Sequence, residues 1–575
     1  MRYFLKKSKP SKKGLYLQIY RTNYVPGKGN MNKSYKALGY FDDLVKQGIK
    51  DPIEYAKNQI DELNSQHKLD KEKQIGETSN LKNLGYFLPK AMFALLNMDR
   101  DLNIVASSYK SHYKFSDFIK NLTYAQIIGP GSKKYLFDRI LPNIYGIENY
   151  SYDQILDGIN FIGSDFHKYI EVLNNFIGKN YKRNLNISLF DCTNYYFEID
   201  EEDDLRKNGP SKENKRCPII GQSLLLDGDM IPLDMELFPG NESEKPYLRK
   251  RIEDIKSRNN IEGRVIQIAD KGLNCARNIY AAVIEANDGY IFSKSVHGKN
   301  LSNKEKLWVI QEENEGNHWV DVRDKNNKLK YRYKDCIDTF EYKCRINPDD
   351  EKEEKFTVKE KRIVTFNPSL AKKQRREIYK MVEKLQSKIA YKEAIKSDFG
   401  DSVKYVNLKA KTIEGEEVKI GVSLNQEKID EDLRYAGYNL LVTSELNVDS
   451  KEIYRAYHSL WRIEHSFRVM KTQLETRPVY VSLNKTIYGH FLICYYALVI
   501  MRLIELKVFE DEIPIEQLFE FIREYQICEN YDGSYINNAI DSDTFQKIKS
   551  KLGLSKLGNV YLAKRDVDNL LKTEF

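Results

Sequence analysis

The sequence predicts an α/β fold built on a mixed sheet, with helical regions before and after it. Three observations carry this. Runs of strand character at residues 185–189, 218–226, 231–238, 264–270 and 290–292 follow one another with helical stretches at 243–258 and 275–285. The order is three strands, a helix, a strand, a helix and a strand, which suits a mixed sheet. Residues 85–180 and 505–575 instead repeat apolar residues at spacings of three and four, the pattern of amphipathic helices.

The elements fall into six regions. Residues 1–75 form a basic N-terminal module, a candidate for binding a DNA end. Within it a short alternating run (Leu15, Leu17, Ile19) leads to a turn at Pro26-Gly27-Lys28-Gly29, and residues 51–73 read as a linker helix. Residues 76–180 form a helical domain. Residues 181–299 form the first part of the sheet-bearing core. Residues 300–436 are charge-rich, with short strand-like runs and one long polar helix at about 370–390, and read as an insertion. Residues 437–504 return to the core with a strand at 438–443 and the helices that follow. Residues 505–575 form a C-terminal helical region, a candidate for dimerisation.

Charge is unevenly placed. The 575-residue chain carries a net charge of +8, yet residues 1–50 hold twelve Lys and Arg against two acids, Asp42 and Asp43. A basic module of this kind fits a polyanion such as nucleic acid. Apolar content of 41% is enough for ordinary cores. Seven scattered cysteines with no CxxC pair argue for reduced thiols in a cytoplasm, and against a zinc site or a disulfide scaffold. The N-terminus has charge but no apolar run, so it does not read as a signal peptide. The longest apolar run, residues 491–501, is too short to span a bilayer and reads as a buried helix, so no membrane partner is expected.

The chemistry concentrates in residues 454–471. Tyr457, Glu464 and Lys471 stand seven apart, close to two helical turns, and so project from one face of a helix. Leu460, Ile463, Phe467, Met470 and Leu474 make an apolar stripe centred roughly 80° away from that row. A helix packed by the stripe holds a phenol, an acid and a base at its rim. His458 and His465 fall on the polar side and read as surface residues or phosphate contacts. Asp191 follows the first strand and Asp270 ends the fourth. If those strands are neighbours, the two carboxylates meet at one sheet edge, where they repel unless a cation lies between them. Hard divalent ions, Mg²⁺ above all, suit such oxygen ligands. Glu464 is the candidate third carboxylate of a site for two ions, which activate a nucleophile and stabilise the leaving oxygen in phosphoryl transfer. Trp308 and Trp319 in the insertion read as core. The acidic run at 200–204 reads as a solvated loop.

Three blocks carry a family resemblance. They are Leu189-Phe-Asp191-Cys-Thr-Asn-Tyr-Tyr-Phe-Glu198 with Gly209-Pro-Ser-Lys-Glu-Asn-Lys-Arg216; Gln267-Ile-Ala-Asp270-Lys-Gly-Leu-Asn274; and residues 454–471 running on through Thr476-Arg-Pro-Val-Tyr480 and Gly489-His-Phe-Leu-Ile493. With these the chain resembles the DDE transposases of the IS4-type superfamily, most of all the IS1634 group, over about residues 185–500. The family's Y-(2)-R-(3)-E-(6)-K signature falls on Tyr457, Leu460, Glu464 and Lys471. The sequence departs from it at the arginine, where Leu460 stands; Arg462 and Arg468 are the nearby alternatives for its DNA contact. The resemblance implies an RNase H-like catalytic core interrupted by a mostly β insertion domain. It implies Asp191, Asp270 and Glu464 as catalytic and metal-binding residues, and Tyr457 and Lys471 as the grip on the DNA end. The implied cofactor is Mg²⁺, for which Mn²⁺ can substitute, as two ions. The implied partners are double-stranded DNA, as terminal inverted repeats and as target, and a second copy of the chain in the DNA complex. The implied reaction is metal-dependent cleavage at the ends of an insertion sequence and joining of their 3′-OH groups to target DNA in a bacterial cytoplasm.

Two rival readings stand beside this one. A catalytically inactive, transposase-derived DNA-binding protein is free to lose any one of the three acids, all of which are present. An RNase H-like nuclease that cuts without strand transfer has no need of Tyr457 and Lys471.

Overall fold

The computed structural model describes residues 2–8, 14–25, 29–71, 79–110, 112–212, 217–258, 261, 263–297, 301–312, 318–347, 350–389, 404–413, 416–530 and 534–575. The Pro26-Gly27-Lys28 turn and residues 213–216 of the first sequence block lie outside the described residues. The chain divides into two compact units, Met1–Ser79 and Asn80–Phe575.

The first unit is a three-stranded antiparallel sheet of Arg2–Lys7, Tyr16–Val25 and Gly29–Tyr40, followed by helices Phe41–Lys46 and Pro52–Lys71. The helix expected as a linker packs on this sheet. Its Ile60 joins Tyr3 and Ile19 in a small core, and Asn64 exchanges hydrogen bonds with the Tyr3 backbone at 2.9 and 3.1 Å.

The second unit is organised by a nine-stranded mixed sheet. In chain order its strands are β1 (Ile187–Tyr196), β2 (Ile219–Asp227), β3 (Pro232–Pro239), β4 (Ile266–Ala269), β5 (Gly289–Lys294), β6 (Val320–Arg323), β7 (Leu329–Cys344), β8 (Glu354–Phe366) and β9 (Tyr438–Thr443). Across the sheet they lie in the order β6-β7-β8-β9-β5-β4-β1-β2-β3. The first three run antiparallel as hairpins, whereas β4 and β5 run parallel to β1 through helical crossovers. Strands 320–366 of the insertion do not form a sheet of their own. They extend the central sheet, because β8 pairs with β9 over Lys361–Phe366 and β9 pairs with β5. The long polar helix of the insertion spans Pro368–Ile389.

Alternation along β1 sends Leu189 and Tyr195 to one face and Phe190 and Cys192 to the other. The first face is covered by the helices of residues 87–180 and 450–524, the second by α1 (Lys245–Arg258) and its neighbours. The apolar run 491–501 lies in α4 (Asn484–Leu503), whose residues from Phe491 to Leu503 are all buried. Two glycines let α4 approach closely: a Cβ on Gly489 would stand 2.0 Å from the Ile159 carbonyl oxygen, and one on Gly163 would stand 1.7 Å from that of Lys485. The C-terminal region mixes helices with three short strands, Gln526–Glu529, Tyr535–Asn537 and Tyr561–Leu562. They pair in a small sheet with Leu81–Asn83, so the expectation of helix alone there is incomplete.

Candidate active site

The pairing of β1 with β4 sets the two aspartates. Phe190 is the register partner of Ala269, so Asp191 and Asp270 are the next residues on two adjacent parallel strands and emerge at one edge. Asp191 continues β1 on the face of Leu189, and its Oδ1 accepts a hydrogen bond from the Cys192 N–H at 2.7 Å. Burial pushes its carboxyl up to about 7, helped by the Glu244 and Asp270 carboxylates and opposed by Lys212 and the Cys192 N–H. Asp270, just past β4, is exposed.

Residues 454–471 do not form one helix. They break into α2 (Ser450–His458) and α3 (Trp461–Thr472). The junction is tightened by three-residue hydrogen bonds from Leu460 N to Tyr457 O (3.1 Å), Arg462 N to Ser459 O (2.9 Å) and Ile463 N to Leu460 O (3.0 Å). The Ser459 hydroxyl reinforces it by donating to the Ala456 carbonyl. The apolar stripe is nonetheless buried as expected: Leu460, Ile463, Phe467, Met470 and Leu474 all lie in the core.

The break aims the polar row at two parts of the sheet edge. From α2, the Tyr457 hydroxyl donates to Asp270 Oδ1 at 2.9 Å. Burial raises its phenol far above the usual range, and the nearby Asp270 and Glu464 carboxylates add to that. From α3, Lys471 Nζ donates to Thr193 Oγ1 at 2.8 Å and lies 5.1 Å from the Tyr195 ring. Burial and the neighbouring Lys212 bring its ammonium down to about 8. Glu464 is exposed on the first turn of α3. Among the described residues no three His, Cys, Asp or Glu side chains stand close enough together to hold a metal ion.

The remaining expected residues are placed differently. Arg462 turns toward the C-terminal region, paired with Asp511 and 4.0 Å from Glu505. Arg468 is exposed near His465 and Glu516. Leu460 is buried at the head of α3, a position whose side chain belongs to the core. His465 is not a surface residue: it is buried, with Nε2 2.7 Å from Glu516 and Nδ1 3.2 Å from Arg502. His458 is exposed, as expected of a surface residue, its ring 4.0 Å from that of Tyr454. Trp308 and Trp319 pack at the margin of the second core, with Lys334 Nζ 5.3 and 4.7 Å from their rings.

Sequence reasoning missed two residues beside Asp191. Lys212 Nζ donates to the Cys192 carbonyl and lies 3.0 Å from Glu244 Oε1. Lys212 stands in a block quoted for the family resemblance, which was the available signal; nothing local marks Glu244. A cleft of about 1460 Å³ adjoins the same edge through Lys271 and is rimmed by Lys245, Lys294, Lys304 and Lys343, but none of the three candidate acids lines it.

Residues 199–479 match the family model of the transposase DDE domain. The match covers slightly under half of the chain. It takes in Asp270, Tyr457, Glu464 and Lys471 and begins just after Asp191. It supports a place among DDE transposases and a transposase function. No curated protein matches the chain. No helix among the described residues is long and apolar enough to cross a membrane, and all seven cysteines are free.

Proposed function

We propose, from the DDE-domain match and the geometry of the sheet edge, that this chain is the transposase of an insertion sequence, of the IS4-type superfamily and near the IS1634 group. It binds the terminal inverted repeats as double-stranded DNA, cleaves them, and joins the 3′-OH ends to target DNA, working as a homodimer on the DNA in a bacterial cytoplasm. The observation that carries the reading is the meeting of Asp191 and Asp270 on neighbouring parallel strands, with Tyr457 reaching Asp270 from α2, the helix just before the one that bears Glu464. The run of three antiparallel strands followed by two parallel ones supports an RNase H-like core.

The residues fit a hard divalent cation. Asp191 and Asp270 offer carboxylate oxygens at one edge, the donor type that a hard divalent cation prefers. Asp191 and Asp270, with Glu464 as the third ligand, would hold Mg²⁺ or Mn²⁺ as a pair of ions, which would supply charge neutralisation and nucleophile activation for phosphoryl transfer. The chain's own groups do the rest. Tyr457 fixes the orientation of Asp270 through its hydroxyl. Lys471 offers its ammonium to a phosphate of the DNA end from beside Thr193. Glu464 is the third carboxylate of the set, exposed on the first turn of α3. Arg462 and Arg468 remain candidate DNA contacts at the outer side of α3, and the basic unit at residues 1–75 takes part in end binding.

The test uses duplexes copied from the DNA on either side of the reading frame. With Mg²⁺, the wild-type chain cleaves one of them at a fixed position. Asp270→Asn and Glu464→Gln lower cleavage at least ~1000-fold, the size expected when charge stabilisation at the reacting phosphate is lost, while binding stays within a few-fold. Either variant cutting at the wild-type rate removes that residue from the active site.

A further inference from the structure

Lys212 is delivered to the sheet edge by a segment built for close approach. Gly209 lies against Gly240: a Cβ on Gly209 would stand 2.0 Å from the Gly240 carbonyl oxygen, so no other residue fits without displacing one strand connection or the other. Asn194, on β1, then pins the segment from both sides, donating to the Pro210 carbonyl at 3.1 Å and accepting from the Lys212 N–H at 3.2 Å. The Lys212 side chain runs back along β1 to the Cys192 carbonyl and to Glu244, which immediately precedes α1. Its ammonium thus stands beside Asp191 and close enough to Lys471 to affect that amine's charge. Yet the side chain remains 43% exposed, so its amine faces solvent as well as the carboxylates.

The two cations repel one another, and Lys212 lowers the Lys471 ammonium accordingly. A phosphodiester lying across the edge relieves the repulsion. Each ammonium donates to a phosphate oxygen, and their present anchors on β1 are adjacent, the Cys192 carbonyl for Lys212 and the Thr193 hydroxyl for Lys471. We propose that Lys212 is a substrate-contacting residue that forms, with Lys471 and Thr193, a cradle for a DNA phosphate beside Asp191, and that Glu244 is the positioning residue that holds it there. This rests on the transposase reading and extends it to a residue outside the Tyr/Glu/Lys row.

The experiment measures lysine acylation in the full chain by peptide mass spectrometry, with and without the flanking-DNA duplexes, together with salt-dependent binding. Lys212 is protected by the duplex at least ~5-fold. Lys212→Gln weakens binding and flattens the slope of log K against log salt by about 0.9, the value for one lost phosphate contact; Lys212→Arg restores the slope. Glu244→Gln raises acylation of Lys212 in the free protein, a change that a merely structural role does not produce. Equal acylation of Lys212 with and without DNA, together with a wild-type salt slope for Lys212→Gln, overturns the proposal. Cleavage by the wild type serves as the control: if the wild type neither cuts nor joins the duplexes, the transposase reading fails, whereas a wild type that cuts beside a Lys212→Gln variant that binds and cuts normally refutes the Lys212 assignment alone.

Discussion

Arg502→Leu tests how α3 is held against the rest of the second unit. Arg502 is 1% exposed, donates to Glu505 Oε2 at 2.5 Å and to Ser466 Oγ at 3.2 Å, and lies 3.2 Å from His465 Nδ1. Glu505, also 1% exposed, accepts as well from the Ile515 N–H at 3.1 Å. Removing the arginine leaves a buried carboxylate without its main counter-charge, a loss of about 4 kcal/mol. For a cooperative unit of roughly 500 residues, with an unfolding entropy of about 1 kcal/mol per kelvin, that lowers Tm by about 4 °C. Replacing both partners (Arg502→Leu with Glu505→Leu) removes the stranded charge and recovers most of this, leaving about 1 kcal/mol for the lost bond to Ile515. The assay is thermal unfolding followed by circular dichroism on wild type, both single variants and the double. A double variant less stable than Arg502→Leu refutes the reasoning, because it means the pair is not a buried, mutually compensating charge couple. Because Ser466 and His465 lie on α3 beside Glu464, the single variant also loses cleavage more than it loses stability.

Two pH-dependent outcomes follow from buried lysines. Lys471 has its ammonium lowered to about 8, so it is charged below that pH and neutral above it; DNA affinity of the wild type falls on the order of fivefold from pH 7 to 9, and Lys471→Gln flattens that fall, as measured by fluorescence anisotropy. Lys133 is 4% exposed, bonded to Gln126 Oε1 at 3.2 Å, and brought by burial from 10.5 to about 8. Between those values the unfolded chain binds the extra proton, so the burden of Lys133 on stability is full below pH 8 and fades as pH rises to 10.5. The shift corresponds to about 3 kcal/mol, and losing the Gln126 bond returns about 1, so Lys133→Met stabilises by about 2 kcal/mol at pH 7 and its advantage disappears toward pH 10.5. A Lys133→Met advantage that does not change with pH counts against a buried, titrating amine.

What the sequence made legible was the part governed by short-range pattern. Alternation around Leu189 and Ile268, and the acids that follow those strands, were enough to expect Asp191 and Asp270 at one edge, and the β1–β4 register brings them there. The apolar stripe from Leu460 to Leu474 was equally readable, because burial of a helix face leaves its period in the sequence. The break between α2 and α3 was not, since it contains neither Gly nor Pro and one tightened turn barely disturbs the period. His465 read as polar-facing because the cover over it, Glu516 and Arg502, comes from segments far along the chain. The same long range hid Lys212 and Glu244, which meet only after the Gly209 and Gly240 backbones close on each other. It also hid the joining of the insertion strands to the central sheet, where Phe366 pairs with Tyr438 across a long intervening stretch.

The most direct test of the central claim is strand transfer. Purified chain is incubated with Mg²⁺, a pre-cut duplex copied from the DNA beside the reading frame and ending in a 3′-OH, and a supercoiled plasmid; joined molecules are then sequenced. The account predicts covalent joining of the 3′-OH to the plasmid, abolished by Asp191→Asn, Asp270→Asn and Glu464→Gln. Plasmid nicking without joined ends contradicts it in favour of a nuclease, and DNA binding with neither product contradicts it in favour of an inactive derivative.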